Sequence, residues 1–248
     1  MEFNIEYRAC IGSLIWLLSK RADLSFVGNK LAIFSSNPCK VHLEWLVHLL
    51  RYIRDNKTLG LNYYADVKDS PISDLLRKDS IKTDNKLMNF SDSSWQDCPD
   101  TGRSIVSYII FYQGGPIYHG TNVPGPVSQS MTEIEYNTSC TAGTALVHFR
   151  MFIYELLKKY PDIVPEEAPL IILDSKYAVC MYKNGKDTKG TSHISRRVDL
   201  IRNGEKCKLH RIAWCKGGLQ LGDIATKNLG DNNLNLRIKY IIVSLDNW

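Results

Sequence analysis

The chain has 248 residues, 44% of them apolar and 23% charged, a balance that fits one large or two small folded units. It excludes a disordered tail, a collagen-like fibre and a low-complexity scaffold. The net charge of +5 is uneven: 12 basic against 10 acidic residues over 1–85, 5 against 10 over 86–175, and 14 against 6 over 176–248. An acidic middle beside a basic C-terminal third suits a site that gathers cations next to a surface that gathers polyanions, although charge runs are also ordinary solvated surface. The longest apolar run, Ile11 to Leu18, is too short to span a bilayer, and the N-terminal stretch has no basic segment leading into an apolar one, so neither membrane nor signal peptide is expected. Seven scattered cysteines without a CxxC pair point to free thiols in a reducing compartment.

The first third reads as helical. Ala9, Ile11, Leu14, Ile15, Leu17 and Leu18 form one helix, apolar almost all round, and a short one is expected near Asp23. Asn37 before Pro38 reads as an N-cap with proline at the first helical position, followed by Val41, Trp45, Leu46, Leu49, Tyr52 and Ile53 on one apolar face. Leu59 to Tyr64 reads as a strand. From Asp66 to Asn85 periodicity is lost, and a linker is expected there.

Beyond it, Leu87 to Phe90 is a short strand running into Asp92. Ile105 to Tyr112 is strongly β-prone, and Gln113-Gly114-Gly115-Pro116 turns it into a returning strand over Ile117 to Thr121. A long helix is expected from Ser130 to Lys159 and a buried strand from Leu170 to Leu173. Helices over Ser175 to Tyr182 and Ser192 to Asn203, a strand over Leu209 to Trp214, and a last helix from about Leu219 complete an α/β pattern with a mixed sheet.

Four acidic residues sit where an ordinary core would not want them. Asp92 closes a strand, Asp174 follows an apolar strand directly, Glu135 lies in the first turns of the long helix, and Asp223 starts the last helix behind a glycine-rich turn. If the strands of Asp92 and Asp174 are neighbours, all four reach one sheet edge. Clustered carboxylates need a counter-charge, and oxygen-loving Mg2+ or Mn2+ is the natural one. Paired ions of that kind are the machinery for in-line attack on a phosphodiester. Taken alone, a strand-end aspartate more commonly caps a turn or helix, and Asp174-Ser175 could do so.

Four strings carry a resemblance: Asn89-Phe90-Ser91-Asp92-Ser93-Ser94-Trp95, Ser130-Met131-Thr132-Glu133-Ile134-Glu135-Tyr136, Leu173-Asp174-Ser175-Lys176-Tyr177-Ala178 and Gly222-Asp223-Ile224-Ala225-Thr226-Lys227. In this order they resemble the ribonuclease H domain of copia-type LTR retrotransposon polyproteins, as does Ser192-His193-Ile194 with Arg196-Arg197. Upstream, Tyr7-Arg8, Ile11-Gly12-Ser13-Leu14, Arg21-Ala22-Asp23-Leu24, Asn37-Pro38 and Leu49-Leu50-Arg51-Tyr52-Ile53 resemble the thumb-like end of the copia-type reverse transcriptase. The polymerase palm, with its paired aspartates, has no counterpart, so DNA synthesis by this chain alone is not expected.

The resemblance implies a ribonuclease H-like mixed sheet with flanking helices, preceded by a small mainly helical segment. The expected boundaries are 1–65 for the thumb-like segment, 66–85 for a linker, 86–230 for the ribonuclease H-like domain and 231–248 for a C-terminal tail. It implies hydrolysis of the RNA strand of RNA–DNA hybrids with two Mg2+ or Mn2+ ions held by Asp92, Glu135, Asp174 and Asp223, Asp92 bridging both. Glu133 is the rival of Glu135, which is preferred for the bulky Tyr136 behind it. Ser93, Ser94, Lys183, Lys186, Lys189, His193, Arg196 and Arg197 are the candidate nucleic-acid contacts, and Trp95 fits half-buried packing as well. Cys207, His210 and Cys215 have a knuckle-like spacing one ligand short of structural zinc, so no zinc is expected. The polymerase part of the same polyprotein is a further expected partner. The expected location is a cytoplasmic replication particle, with access to the nucleus open. The alternatives are an inactive or repurposed fragment that binds nucleic acid or a polymerase, another nuclease or strand-transfer enzyme on the same fold, and an interaction protein built on the N-terminal helices.

Overall fold

The computed structural model describes residues 2–82, 86–96, 102–124, 127–165, 167–184 and 195–244. Helices α1 (Glu2–Leu18), α2 (Ser25–Ile33) and α3 (Lys40–Asp55) open the chain, with a 3-10 turn at Ala22–Leu24 where the short helix was expected. Tyr7, Ile11, Leu14 and Leu18 fall on one stripe of α1 and pack with Leu24, Leu31, Leu46 and Leu49 into a small core of their own. On α3, Leu46 and Leu49 are buried while Val41 and Trp45 remain exposed, so only part of the expected apolar face is covered. The cap also differs from expectation. Cys39, not Asn37, holds the extended N-cap position, and its N–H donates to His42 Nδ1 at 3.0 Å, which places Pro38 before the cap. Arg21 forks onto Asp23 at 2.7 and 2.8 Å, and the Tyr52 hydroxyl donates to the same carboxylate, tying α3 to the turn.

Residues 66–78 of the stretch expected as a linker are folded. A 3-10 turn at Val67–Asp69 leads into α4 (Pro71–Lys78), with Ser70 as N-cap and Pro71 in the first turn. Val67, Ile72, Leu75 and Leu76 are almost fully buried. Their spacing was masked in the composition by Lys68, Asp74, Arg77 and Lys78 on the outer face. The Ser70 hydroxyl also donates to the Gly114 carbonyl at 2.9 Å, fastening α4 to a sheet turn.

The sheet comprises β2 (Leu87–Ser94), β3 (Ile105–Tyr112), β4 (Gly115–Asn122), β5 (Leu170–Leu173) and β6 (Arg211–Trp214), in the order β4-β3-β2-β5-β6. The first three are antiparallel, and β2, β5 and β6 run parallel, which is the ribonuclease H-like mixed sheet. The period of two sorts the side chains cleanly. Met88, Phe90, Ile109, Phe111, Leu170 and Ile172 face one core. Leu87, Ile110, Ile171 and Leu173 face the other, under α5 (Met131–Leu157), α6 (Lys176–Asn184) and α7 (Ser195–Lys206). Gln113 and Gly114, with φ of 51° and 78°, make the tight β3–β4 hairpin turn that favours glycine. Pro116 follows on the edge strand, where a missing N–H is tolerated.

Residues 231–244 of the expected C-terminal tail likewise belong to the fold. After α8 (Asp223–Thr226) come α9 (Asp231–Ile238) and β7 (Ile242–Ser244), and β7 pairs antiparallel with β1 (Leu59–Leu61). Ile241 and Ile242 enter the first core. The last helix, expected from Leu219, is split into a 3-10 turn at Gly217–Leu219 and α8 because the intervening residues are used to approach β2. Helix α2 and the 3-10 turn before it rest on α8, and α2 also on β4, so the N-terminal segment lies against the element that carries Asp223.

Candidate metal centre

The parallel register places two of the four acids. Phe90 pairs with Ile172, so two residues further on Asp92 and Asp174 emerge side by side at the C-terminal ends of β2 and β5. Asp223 is delivered by the turn before α8. A Cβ on Gly222 would lie 2.9 Å from both Asp92 Cβ and its backbone nitrogen, so glycine is what lets this turn lie on β2. The turn is sewn down by Gln220, whose Nε2 donates to the Ser91 carbonyl at 3.0 Å and whose Oε1 accepts from Gly222 N at 3.1 Å. Ser107 Oγ donates to the Gly222 carbonyl at 2.8 Å. As a result, oxygens of Asp92, Asp174 and Asp223 lie within 4.8 Å of one another. Glu135, in the second turn of α5, lines the same narrow cleft with Asp92, Ser93, Asp174 and Ser175.

The two glutamates at the start of α5 do different things. Ser130 Oγ accepts from Glu133 N at 3.1 Å, and the Glu133 carboxylate accepts from Gln129 N at 2.7 Å, a reciprocal arrangement at the helix start. Glu135 points into the cleft instead. Replacing Glu133 by alanine should therefore cost about 0.5–2 kcal/mol of stability and leave hybrid cleavage within about threefold of native. Urea unfolding and a cleavage assay on one preparation check this; lost cleavage in a folded variant would reverse the assignment. Asp174 is likewise free of the capping role it could have had, because Ser175 Oγ accepts from Ala178 N at 3.2 Å.

Burial is the main influence on these acids. It pushes Asp92 up to about 7, with Lys227 and the Thr226 hydroxyl pulling down and Asp223 and Asp174 pushing up. Burial raises Asp174 as well, against the pull of Lys227. Glu135 is raised by burial, opposed by a hydrogen bond from Ser175, with the Asp174 charge adding to the rise.

Three partners of this cluster were not singled out in the sequence. Lys227 Nζ lies 2.6 Å from Asp223 Oδ1 and 3.3 Å from Asp92 Oδ2. Burial alone would lower the Lys227 pKa, but the charges of Asp92 and Asp223 and the Asp223 hydrogen bond outweigh it and hold the ammonium above its ordinary range. Arg237, from α9, places Nη2 2.9 Å from Asp223 Oδ2 and also donates to the carbonyls of Gln220 and Gly217. The Thr226 hydroxyl donates to Asp92 Oδ2. Lys227 and Thr226 stand in a string already quoted, at helical spacing from Asp223; Arg237 is fourteen residues downstream and carries no local signal. The donor set fits a divalent cation of the Mg2+ or Mn2+ type: the three aspartates offer hard carboxylate oxygens within one small volume, and among the described residues no thiol or imidazole joins them.

The other candidates scatter more widely. Ser93 is buried in the cleft wall, and Ser94 ends β2. Trp95 is 39% exposed and donates from Nε1 to the Ser128 carbonyl, in line with half-buried packing. Lys183 on α6 and Arg196 and Arg197 on α7 are exposed. Arg197 lies 3.9 Å from Glu133. Lys186, Lys189 and His193 lie outside the described residues. Of the knuckle-like trio, Cys207 is exposed, His210 is buried with Nε2 3.0 Å from the Ile201 carbonyl, and Cys215 sits in the first core. Among the described residues no helix is long and apolar enough to cross a membrane.

No family profile matches the chain. It is 26% identical over 224 residues to the retrovirus-related Pol polyprotein from transposon RE1 of Arabidopsis thaliana, covering 90% of this chain and 14% of the polyprotein. It is 24% identical over 237 residues to the retrovirus-related Pol polyprotein from transposon TNT 1-94 of Nicotiana tabacum, covering 94% and 16%. The chain thus spans about a seventh of the length of these curated relatives. Among solved structures it is similar to the N-terminal RNase H domain of a Mycobacterium tuberculosis protein, at 10% identity and a TM-score of 0.41 over 62% of this chain and 97% of the other. The strand order β4-β3-β2-β5-β6 defines the fold. With matches running along nine-tenths of its length, the chain is similar to one stretch of the retrovirus-related Pol polyproteins of plant transposons.

Proposed function

We propose that the chain is a metal-dependent endoribonuclease that hydrolyses the RNA strand of RNA–DNA hybrids as part of a retrotransposon Pol polyprotein. The observation that carries the reading is the convergence of Asp92, Asp174 and Asp223 within 4.8 Å at the C-terminal ends of two parallel strands, with Glu135 lining the same cleft. Asp92, Asp174, Asp223 and Glu135 are the residues that would hold Mg2+ or Mn2+, with Asp92 in the centre. A divalent ion bound there supplies a Lewis acid for the phosphate oxygens and a water of lowered pKa. The protein's own part is to fix the acids. Ser175 orients Glu135, Thr226 orients Asp92, and Arg237 orients Asp223. Ser93 and Ser94 are offered to the sugar–phosphate backbone, where 2′-hydroxyl contacts distinguish RNA from DNA. Lys183, Arg196 and Arg197, with Lys186, Lys189 and His193 of the intervening sequence, are offered to the phosphates. In a longer polyprotein the polymerase part would present the hybrid.

The test is cleavage of an end-labelled RNA–DNA hybrid by the full chain with Mg2+ or Mn2+, against Asp174→Asn. Expected is cutting of the RNA strand that chelation abolishes and the variant loses by about 10²–10³-fold, the scale on which single charge-stabilising groups act. Hybrid binding without cutting by either protein would replace this reading with a binding fragment.

A further inference from the structure

The cluster already contains a cation of its own, and it is not shared evenly. Lys227 Nζ stands 2.6 Å from Asp223 Oδ1 and 3.4 and 3.3 Å from the two oxygens of Asp92. It forms no ion pair with Asp174 or Glu135 among the described residues. One flank of the site, between Asp92 and Asp223, is thus filled by an ammonium. The opposite flank, between Asp92, Asp174 and Glu135, is bounded by carboxylates and the Ser175 hydroxyl.

We propose that Lys227 is a resident counter-cation that holds the Asp92–Asp223 flank and must withdraw before a divalent ion binds there, so that ions enter this site in a set order. The inference rests on the metal-dependent reading above. Its physical basis is competition for the same oxygens. Mg2+ needs carboxylate oxygens at about 2.0–2.1 Å in near-octahedral array, and an ammonium donating to those oxygens occupies that space and opposes the incoming charge. The first ion therefore goes to the Asp174–Glu135 flank, and the second binds more weakly.

The two basic residues of the site are built for different duties. Arg237 has a side chain only 8% exposed and spends its fork on Asp223 and the backbone carbonyls of Gln220, Gly217 and Asn233, so it stays. Lys227 is 40% exposed at the side chain and sits at the C-cap of a four-residue helix, where it makes no backbone contact through Nζ among those described. A flexible four-carbon stem there can turn out to solvent. The arrangement keeps the acids compensated in the metal-free protein and releases the flank only when a stronger cation arrives.

The experiment counts Mn2+ bound to the full chain by calorimetry and by electron paramagnetic resonance of free Mn2+. It compares the native protein with Lys227→Met, Lys227→Gln and Lys227→Arg. Expected are one tighter and one weaker ion in the native protein, at least a tenfold tighter second ion in the Met and Gln variants, and native-like binding in the Arg variant. The melting temperature in chelator should fall in the Met and Gln variants and be recovered by Mn2+. Two uncharged variants guard against one that does not fold. Two ions of equal affinity in the native protein, or an unchanged or weakened second ion in both uncharged variants, overturns the role of Lys227 and leaves the metal-dependent reading standing. Absence of Mn2+ binding in every protein overturns both.

Discussion

Replacing Asp92 by asparagine should reduce hybrid cleavage by about 10³-fold or more, the upper scale for a single stabilising group, while leaving the metal-free protein at least as stable as the native one. The two halves have one cause. Asp92 is 7% exposed, and burial lifts its pKa to about 7 despite Lys227 and Thr226. A carboxyl whose folded pKa lies above its unfolded value contributes stability in its protonated form, and that contribution is lost as pH rises through about 7. Asparagine never ionises, so the variant should gain on the native protein as pH goes from 5 to 8. It keeps an oxygen for the Thr226 hydroxyl, and Lys227 keeps Asp223. Single-turnover cleavage at saturating Mg2+ and thermal unfolding in chelator at both pH values measure the two effects. A variant cutting within tenfold of native would remove Asp92 from the centre of the site, and one unfolding well below native at pH 8 would contradict the burial argument.

Such strain at a functional site is what made the acids readable in the sequence. Asp174 stands out because it follows the unbroken apolar run Leu170 to Leu173, and Asp92 because it stands two residues beyond Phe90 in β2; a parallel pairing then brings them together without further information. The hairpin and α5 were legible for similar reasons: a positive-φ turn at Gln113-Gly114 and a Ser130 cap before a long helix are local signals. Tyr136 favours Glu135 over Glu133 already in the sequence, and the coordinates add that Glu133 accepts at the helix start while Glu135 lines the cleft, the two being about 200° apart around the helix.

What was illegible depended on partners distant in the chain. Helix α4 buries Ile72, Leu75 and Leu76, yet its outer face is charged enough to read as a linker. Strand β7 is three residues long and exists as a strand because β1, some 180 residues earlier, pairs with it. Lys227 reads as an ordinary i,i+4 helix pair with Asp223, worth little on a surface. Only the fold shows that Asp92 is the third member and that the pair is half-sequestered.

Arg237 is the most consequential of these, and its removal should have the largest effect on stability. Arg237→Met keeps the aliphatic stem but deletes the fork that grips Asp223 Oδ2, the Gln220 carbonyl and the Gly217 carbonyl. Breaking a buried ion pair by removing one partner costs about 3–5 kcal/mol, because a buried charge is left uncompensated. Lys227 still pairs with Asp223, so the lower end is expected. The loss should also reach the site, since Gln220 and Gly222 set Asp223 against Asp92 through the same turn. Adding Asp223→Asn to Arg237→Met removes the stranded charge and should recover about 1–2 kcal/mol, a coupling of the size contacting residues show. It should not restore cleavage. Urea unfolding of both single variants, the double variant and the native chain closes the cycle. Additive losses with no recovery would mean that Arg237 acts only through its backbone carbonyl partners, and that the segment after residue 230 supports the fold without tuning the acid it touches.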